Sequence, residues 1–187
     1  MGSEMCIRDR DKDKAVAAAE ESLGKFPDFF RAHYTAGLRS KLGLTTEEEG
    51  DYELAKGLLD WMKEVGADFT SSFTALTKRI ETGRAEGPLS FGGAPLRSWL
   101  DKWDARLERQ PKNKTEVAGL MRRANPVVIP RNYRVEEALA AASRGDFSVM
   151  HRLLDALRNP FIETSENEPY CDAPLPGGAP YRTFCGT

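Results

Sequence analysis

Side chains that could act as nucleophiles or metal ligands are few in this sequence. Its 187 residues include three Cys and two His, and His33 and His151 are far apart along the chain. Three Cys exclude a disulfide-dense secreted scaffold, and two His exclude a His-rich metal site. His33 falls on an aromatic helical face and His151 falls early in a helix, so we expect a structural role for both.

Acidic pairs and short motifs give no catalytic pattern either. Glu47–Glu49 and Glu136-Glu137 are predicted in first helical turns, where carboxylates favour the helix dipole. There is no Gly-rich phosphate loop, no nucleophile elbow and no His-Glu-x-x-His. His151-Arg152-Leu153 and Gly145-Asp146-Phe147 share letters with kinase motifs, but they fall at helical positions in the wrong order. The sequence predicts no catalytic, cofactor-binding or metal-binding residue.

Two cysteines lie close to the end of the sequence. Cys171 and Cys185 could form a disulfide, although sequence alone does not give their Cα separation, and two ordinary thiols are the alternative. Cys6 lies within Met1–Arg10, MGSEMCIRDR, which lacks the apolar core of a secretory signal and is too charged and acidic for a typical mitochondrial transit peptide. We interpret that segment as a non-native scar joined to an internal part of a longer protein. The alternative is a short native tail.

Composition is that of an ordinary globular protein. Hydrophobic residues make up 40% of the chain, charged residues 30%, and the net charge is −2. The longest apolar runs, such as Ala15–Ala19, are far shorter than the roughly 18 residues of a membrane span. No basic face indicates nucleic-acid binding. We therefore expect neither a membrane nor a nucleic acid as partner.

Hydrophobic periodicity predicts helices throughout, and no segment alternates as a strand would. The fold class is therefore predicted to be all-α. Gly, Pro and capping residues set the predicted ends, which are Asp11–Gly24, Pro27–Gly43, a helix capped by Thr45 or Thr46, one capped by Asp68, one from Pro95, Thr115–Asn125, Pro130–Arg144 and Asp146–Asn159.

Composition also divides the chain into segments. These are a tail or scar at 1–10, a helical segment at 11–82, a Gly/Pro loop at 83–95, a second helical segment at 96–160 and an extended tail at 161–187.

Two aromatic stripes are predicted to be core, with a groove for a partner helix as the alternative. They consist of Phe29, Phe30 and Tyr34, and of Trp99 and Trp103.

The stretch Asn125–Phe161, NPVVIPRNYRVEEALAAASRGDFSVMHRLLDALRNPF, resembles the C-terminal part of the selenoprotein O (SelO/YdiU) family. The shared elements are Asn-Pro, Arg-Asn, an Ala-rich helix, Gly-Asp and the closing Arg-Asn-Pro-Phe. Weaker similarities lie upstream, at Phe29–Leu44, at Asp68-Phe69-Thr70 with Phe73, and at Trp99 to Leu107. The resemblance covers about Phe26 to Thr187.

The resemblance implies the helical C-terminal portion of a kinase-like (pseudokinase) fold with an irregular tail. Family members transfer AMP from ATP, with Mg²⁺, to Ser, Thr or Tyr hydroxyls of substrate proteins. The family's nucleotide-binding and metal-binding motifs lie in its earlier part, and none matches here. The resemblance therefore implies a fragment that binds no cofactor and is inactive without the missing N-terminal catalytic part. Helices that should cover that part are expected to expose apolar faces, which predicts reduced stability or self-association of the isolated fragment.

The same resemblance gives Cys185 a candidate redox role, because family members carry Cys or selenocysteine near this position. In the family this Cys can pair with one in the catalytic body, and Cys171 is the candidate partner within this chain. Family members occur in the bacterial cytoplasm and in mitochondria, and the cytoplasm is the expected location. The competing interpretation is a stand-alone helical interaction module, with 130–158 as one hairpin of a solenoid.

Overall fold

The computed structural model of the protein describes residues 12–174. Within that range it contains seven α-helices, two short 3₁₀ helices and no β-strand, which confirms the all-α prediction. The α-helices are α1 (Lys12–Lys41), α2 (Asp51–Val65), α3 (Phe69–Thr82), α4 (Gly93–Glu108), α5 (Lys114–Ala124), α6 (Asn132–Ala142) and α7 (Ser148–Arg158). The 3₁₀ helices are Gly87–Phe91 and Glu168–Tyr170.

The first helix is continuous where the sequence predicted two. Pro27 lies inside α1, and Gly24 is not among the glycines with positive φ that end helices. Every residue from 16 to 34 is exposed to solvent. Water can therefore bond the carbonyl group that Pro27 leaves without its helical donor, and the interruption that normally ends a buried helix is tolerated here.

The segment before α2 is a loop, so the prediction of a Thr45 or Thr46 cap was wrong. Arg106 and Gln110 of the α4 region bind this loop. Gln110 Oε1 accepts from Thr45 N at 2.9 Å, and Arg106 Nη2 donates to the Thr46 carbonyl at 2.8 Å. Helix α2 begins after Gly50, whose φ of 96° is left-handed. These two buried side chains thus decide where α2 starts.

Arg106 is itself buried, and it is balanced by two carboxylates. Its Nε donates to Asp51 Oδ1 at 2.7 Å, and its Nη1 lies 3.0 Å from Glu48 Oε1. Arg106 and Asp51 are only 2% and 3% exposed. Burial alone would raise the pKa of Asp51, but the hydrogen bonds from Arg106 and from the Glu48 amide, together with the nearby positive charges, outweigh it, and that pKa is lowered.

The hydrophobic core lies between the end of α1 and helices α2 to α5. Trp103 is fully buried, and its indole Nε1 donates to the carbonyl of Leu42 at 2.9 Å. Trp99 donates in the same way to the carbonyl of Leu54 at 2.7 Å. Burial of a Trp stabilises a fold best when its N–H finds a partner. The prediction that Trp99 and Trp103 are core is confirmed.

Close backbone contact fixes α1 against α5. Gly43 has a φ of 70°, and a Cβ there would lie 2.6 Å from Val117 Cγ1. Nearby, Asn125 Nδ2 donates to the carbonyl of Lys41 at 2.9 Å, and Lys41 Nζ donates to the carbonyl of Ala124 at 2.9 Å. Burial lowers the pKa of this lysine. Glycine is required at position 43 for both its conformation and its lack of a side chain.

Helices α6 and α7 pack against each other as a hairpin. Gly145, with a φ of 87°, makes the turn, and Asp146 accepts from Ser148 N at 2.9 Å at the start of α7. Ala138 and Ala141 of α6 and Leu153 and Ala156 of α7 are its buried residues. The predicted turn at Gly145-Asp146 is confirmed, and α6 begins at Asn132, two residues after the predicted Pro130.

Candidate functional site

The segment after α7 folds back against the body of the protein. The backbone amide of Val127 donates to the carbonyl of Pro160 at 2.7 Å. Lys78 Nζ, on α3, lies 2.6 Å from Glu163 Oε2. Asn167 is buried and ties the next turn together, since its Nδ2 donates to the carbonyl of Ile162 at 2.7 Å. These contacts direct the chain past the N-terminal end of α6.

Three side chains at the N-terminal end of α6 donate hydrogen bonds to backbone carbonyl groups of this segment. They are Arg131, Tyr133 and Arg134, and we call them the C-terminal dock. Arg134 Nη2 donates to the carbonyl of Pro169 at 2.8 Å, and Tyr133 Oη donates to that of Asp172 at 3.2 Å. Arg131 Nη2 reaches the carbonyl of Cys171 at 3.4 Å. Because all three hydrogen bonds go to backbone carbonyl groups, the dock fixes the path of the chain.

Arg131 is oriented by Asp68. Its two terminal nitrogens donate to the two carboxylate oxygens of Asp68, each at 2.9 Å. Asp68 also caps α3 by accepting from Ser71 N at 2.8 Å, as predicted. Burial would raise the pKa of Asp68, but the bonds from Arg131 and Ser71 outweigh it and lower that pKa to about 2. The pair stays ionised at neutral pH and joins the start of α3 to the dock.

Arg134 is held between aromatic rings. Its guanidinium carbon lies 5.0 Å from the ring centroid of Tyr133 and 5.5 Å from that of Tyr170. Its Nη1 also donates to Glu137 Oε2 at 2.9 Å. Cation–π contacts of this kind contribute about 0.5–1 kcal/mol at exposed sites, and the planar guanidinium suits them.

Cys171 is the free cysteine within residues 12–174, and it is half-buried beside the dock. Its Sγ lies 3.5 Å from the carbonyl of Asn167. Burial and the nearby carboxylate of Glu163 raise the pKa of this thiol. Because the thiolate is the reactive form, the environment makes Cys171 a weak nucleophile.

Several predicted residues lie apart from the dock or outside the described range. Cys185, Cys6 and the proposed scar at 1–10 all lie outside residues 12–174, so the redox role of Cys185 stays a prediction. His33 and His151 are both exposed on different helices. The paired carboxylates do not lie in first helical turns as predicted, because Glu47–Glu49 lie in the loop before α2 and Glu136-Glu137 lie in the second turn of α6.

The aromatic stripe on α1 also departs from its prediction. Phe29, Phe30 and Tyr34 are 62%, 56% and 41% exposed, so the prediction that they belong to the core was wrong for this chain. Periodicity showed correctly that they share one helix, but it could not show what would cover them. Their exposure favours the alternative, a surface for a partner.

A cleft of about 530 Å³ is lined mainly by α3, α4 and the start of α5. Arg79 and Asp104 form an ion pair in this cleft, in which Arg79 donates to both carboxylate oxygens of Asp104 at 2.7 and 2.6 Å. In the part of the chain that the structure describes, no three His, Cys, Asp or Glu side chains are grouped as metal ligands.

Comparison with known proteins identifies the family. A family profile described as "Protein adenylyltransferase SelO" matches residues 10–158. The chain belongs to the SelO family. It is 46% identical over 182 residues to "Protein nucleotidyltransferase YdiU" of Geobacillus kaustophilus, covering 97% of this chain and 37% of that relative. The same-named proteins of Bacillus mycoides and Brevibacillus brevis are 42% and 45% identical, over 97% and 93% of this chain and 36% and 35% of theirs.

The chain thus spans just over a third of the length of these SelO relatives. Its all-helical architecture agrees with the helical C-terminal part of a SelO fold. No helix among residues 12–174 is long and apolar enough to cross a membrane. Sequence reasoning found Arg131-Asn132 as a motif but missed the dock, because its other half is carbonyl groups of a segment 35 or more positions away.

Proposed function

We propose that this chain is the C-terminal part of a protein adenylyltransferase and that it is catalytically incomplete alone. The supporting observation is that the alignment with the Geobacillus kaustophilus protein nucleotidyltransferase covers 97% of this chain but only 37% of that relative. The SelO profile also matches residues 10–158, so most of the chain is a region that the family shares. The nucleotide and Mg²⁺ would be bound by the part of the protein that this chain lacks.

The proposed reaction is transfer of AMP to a protein. A Ser, Thr or Tyr hydroxyl oxygen of the substrate attacks the α-phosphorus of ATP. A new oxygen–phosphorus bond forms, the bond to the β-phosphate bridge breaks, pyrophosphate leaves, and the hydroxyl proton is released. The proposed setting is a bacterial cytoplasm, which the bacterial origin of the relatives supports.

A chimera tests this proposal. Residues 12–187 of this chain would replace the matched segment of the Geobacillus kaustophilus relative, and the purified chimera would be offered ATP labelled at either the α- or the γ-phosphate. We expect α-label on protein and release of pyrophosphate, with no γ-label. The isolated chain should transfer neither label.

Three outcomes would contradict the proposal. Transfer of γ-label would identify a phosphotransferase and overturn the proposed reaction. A chimera that melts cooperatively yet transfers nothing, beside an active intact relative, would show that this chain cannot serve as the C-terminal part. Transfer of α-label by the isolated chain would overturn its proposed incompleteness.

The dock suggests how the chain end is used. It fixes the backbone as far as Asp172. We propose that Cys185, further along the chain, forms a regulatory disulfide with a second thiol by exchange with oxidised glutathione, which leaves as two molecules of reduced glutathione. In the chimera, Cys185→Ser should abolish the effect of oxidised glutathione on AMP transfer. Cys171→Ser is the matched control, and an equal effect of that variant would assign the partner thiol to Cys171. Unchanged sensitivity of Cys185→Ser would overturn the redox proposal.

A further inference from the structure

One face of α1 is apolar and exposed over five helical turns. Its members, which we call the α1 stripe, are Val16, Leu23, Phe26, Phe30 and Tyr34, and they are 48%, 72%, 63%, 56% and 41% exposed. Their spacing of three, four and seven residues places them along one side of the helix. The opposite side carries the ion pair of Lys25 with Glu21, at 2.6 Å, and the exposed Phe29 lies outside the α1 stripe.

Nothing in the described part of the chain covers this face. Residues 16–34 are all exposed, and the core begins only at Leu38. The rings of the stripe contact each other instead. The Phe26 and Phe30 centroids are 6.0 Å apart, and the Phe30 and Tyr34 rings stack at 5.6 Å. A row of aromatic side chains in water marks an interaction surface.

The α1 stripe belongs to the family's shared region and is not an appended tail. The SelO family match begins at residue 10, before α1, and the Geobacillus kaustophilus relative aligns over 97% of this chain. That relative is covered over only 37% of its length. A large part of the family's protein is therefore available to cover the stripe, and this chain does not contain it.

We propose that the α1 stripe is the surface on which the rest of a SelO protein docks. The proposal rests on the proposed function, because it takes the absent part to be the catalytic body. The geometry is that of a helix laid sideways into an apolar groove, with anchors at i, i+3 or i+4, and i+7. The side with Lys25 and Glu21 remains in water. The α1 stripe thus joins the helical part to the catalytic body.

Hydroxyl-radical footprinting measures this directly, because it reports the solvent exposure of individual aromatic rings. It would be applied to the 187-residue chain and to the full-length chimera. We expect the labelling of Phe26 and Phe30 to fall severalfold in the chimera, because burial removes both rings from contact with the radical in solvent. Phe91, which is 88% exposed on a 3₁₀ helix, is the internal control and should label equally in both.

A matched pair of variants tests the energetic role of the stripe. Phe26→Ser with Phe30→Ser in the chimera should restore labelling of Tyr34 and increase hydrogen exchange over residues 16–34. Phe91→Ser should change neither. If the chimera does not melt cooperatively, a smaller graft of residues 12–41 into the same relative provides the same readings.

Two results would overturn the proposal. Equal labelling of Phe26 in the isolated chain and in a cooperatively folded chimera would show that the catalytic body does not cover the stripe. The second result is that the stripe is protected in the isolated chain, loses this protection on dilution, and is exposed in the chimera. That result would assign the surface to a second copy of this chain.

The proposal and the proposed function can fail separately. A protected stripe in a chimera that transfers no AMP would leave the docking surface standing and overturn the activity. AMP transfer by a chimera whose α1 stripe stays exposed would support the activity and overturn the docking surface.

Discussion

Two aromatic pairs with the same spacing have opposite surroundings in this molecule. Phe30 and Tyr34 of α1 stack at 5.6 Å with an interplanar angle of 13°, and Trp99 and Trp103 of α4 stack at 5.8 Å with an angle of 19°. The first pair is exposed and the second is buried. Local geometry on a helix is therefore the same whether or not a face is covered.

What separates the two pairs is their polar partners and neighbouring helices. Trp99 and Trp103 each donate an indole hydrogen bond to a backbone carbonyl group of another segment, and α2 packs on α4. The α1 pair lies in a stretch, residues 16–34, in which every residue is exposed. Aromatic residues at helical spacing thus identify a face suited to burial, while the partner can lie in another part of the protein.

A substitution in the buried pair should have the greatest effect on stability. Trp103→Ala would leave a cavity and an unpaired carbonyl group at Leu42, and we expect a loss of about 3–5 kcal/mol in the free energy of unfolding. Phe30→Ala should change it by less than about 0.5 kcal/mol in this chain. Urea denaturation followed by circular dichroism measures both. Similar losses for the two variants would remove the contrast between the pairs.

Breaking the buried ion pair of Arg106 and Asp51 should reduce stability almost as much. Arg106→Met would leave Asp51 as an unpaired buried charge, and we expect a loss of about 3–5 kcal/mol. Arg79→Met is the control, because it breaks a partly exposed pair with Asp104 and should cost only about 1 kcal/mol. Denaturation midpoints compare the two, and equal costs would show that Asp51 is hydrated after the change.

The third effect depends on pH. The pKa of Asp68 is lowered from 3.8 to about 2, so the unfolded state binds the proton more readily. Its contribution is complete above about pH 5 and is lost progressively as the pH falls through 4 towards 2, amounting to about 2 kcal/mol. Asp68→Asn should flatten the dependence of stability on pH between 4 and 2. An unchanged slope would exclude Asp68 as its source.

A substitution in the exposed part of α1 should have the least effect. Pro27→Ala restores a helical hydrogen bond in a region that contributes nothing to the core. We expect slower hydrogen exchange at residues 23–31 and a change in global stability below about 0.5 kcal/mol. A global change above about 1 kcal/mol would show that this part of α1 is coupled to the core and would weaken the contrast between the two regions.

Local sequence rules are sufficient for the helical class, most helix ends and the family. Asp68 caps α3, Gly145-Asp146 makes the α6–α7 turn and Asn125 ends α5, as those rules require. These features depend on neighbours within a few residues, so composition and spacing predict them. The ordered motifs from Asn125 to Phe161 likewise predict the SelO family, and the profile match over residues 10–158 confirms it.

Tertiary packing was needed for the remaining features. The start of α2 is set by Arg106 and Gln110, from over 55 positions away, and the C-terminal dock joins α6 to backbone carbonyl groups with no side-chain pattern. Whether an aromatic face is buried depends on which segment packs upon it. A periodic sequence can specify that a face is apolar, but the free energy of burying it belongs to two surfaces, and for the α1 stripe the second is not among the described residues.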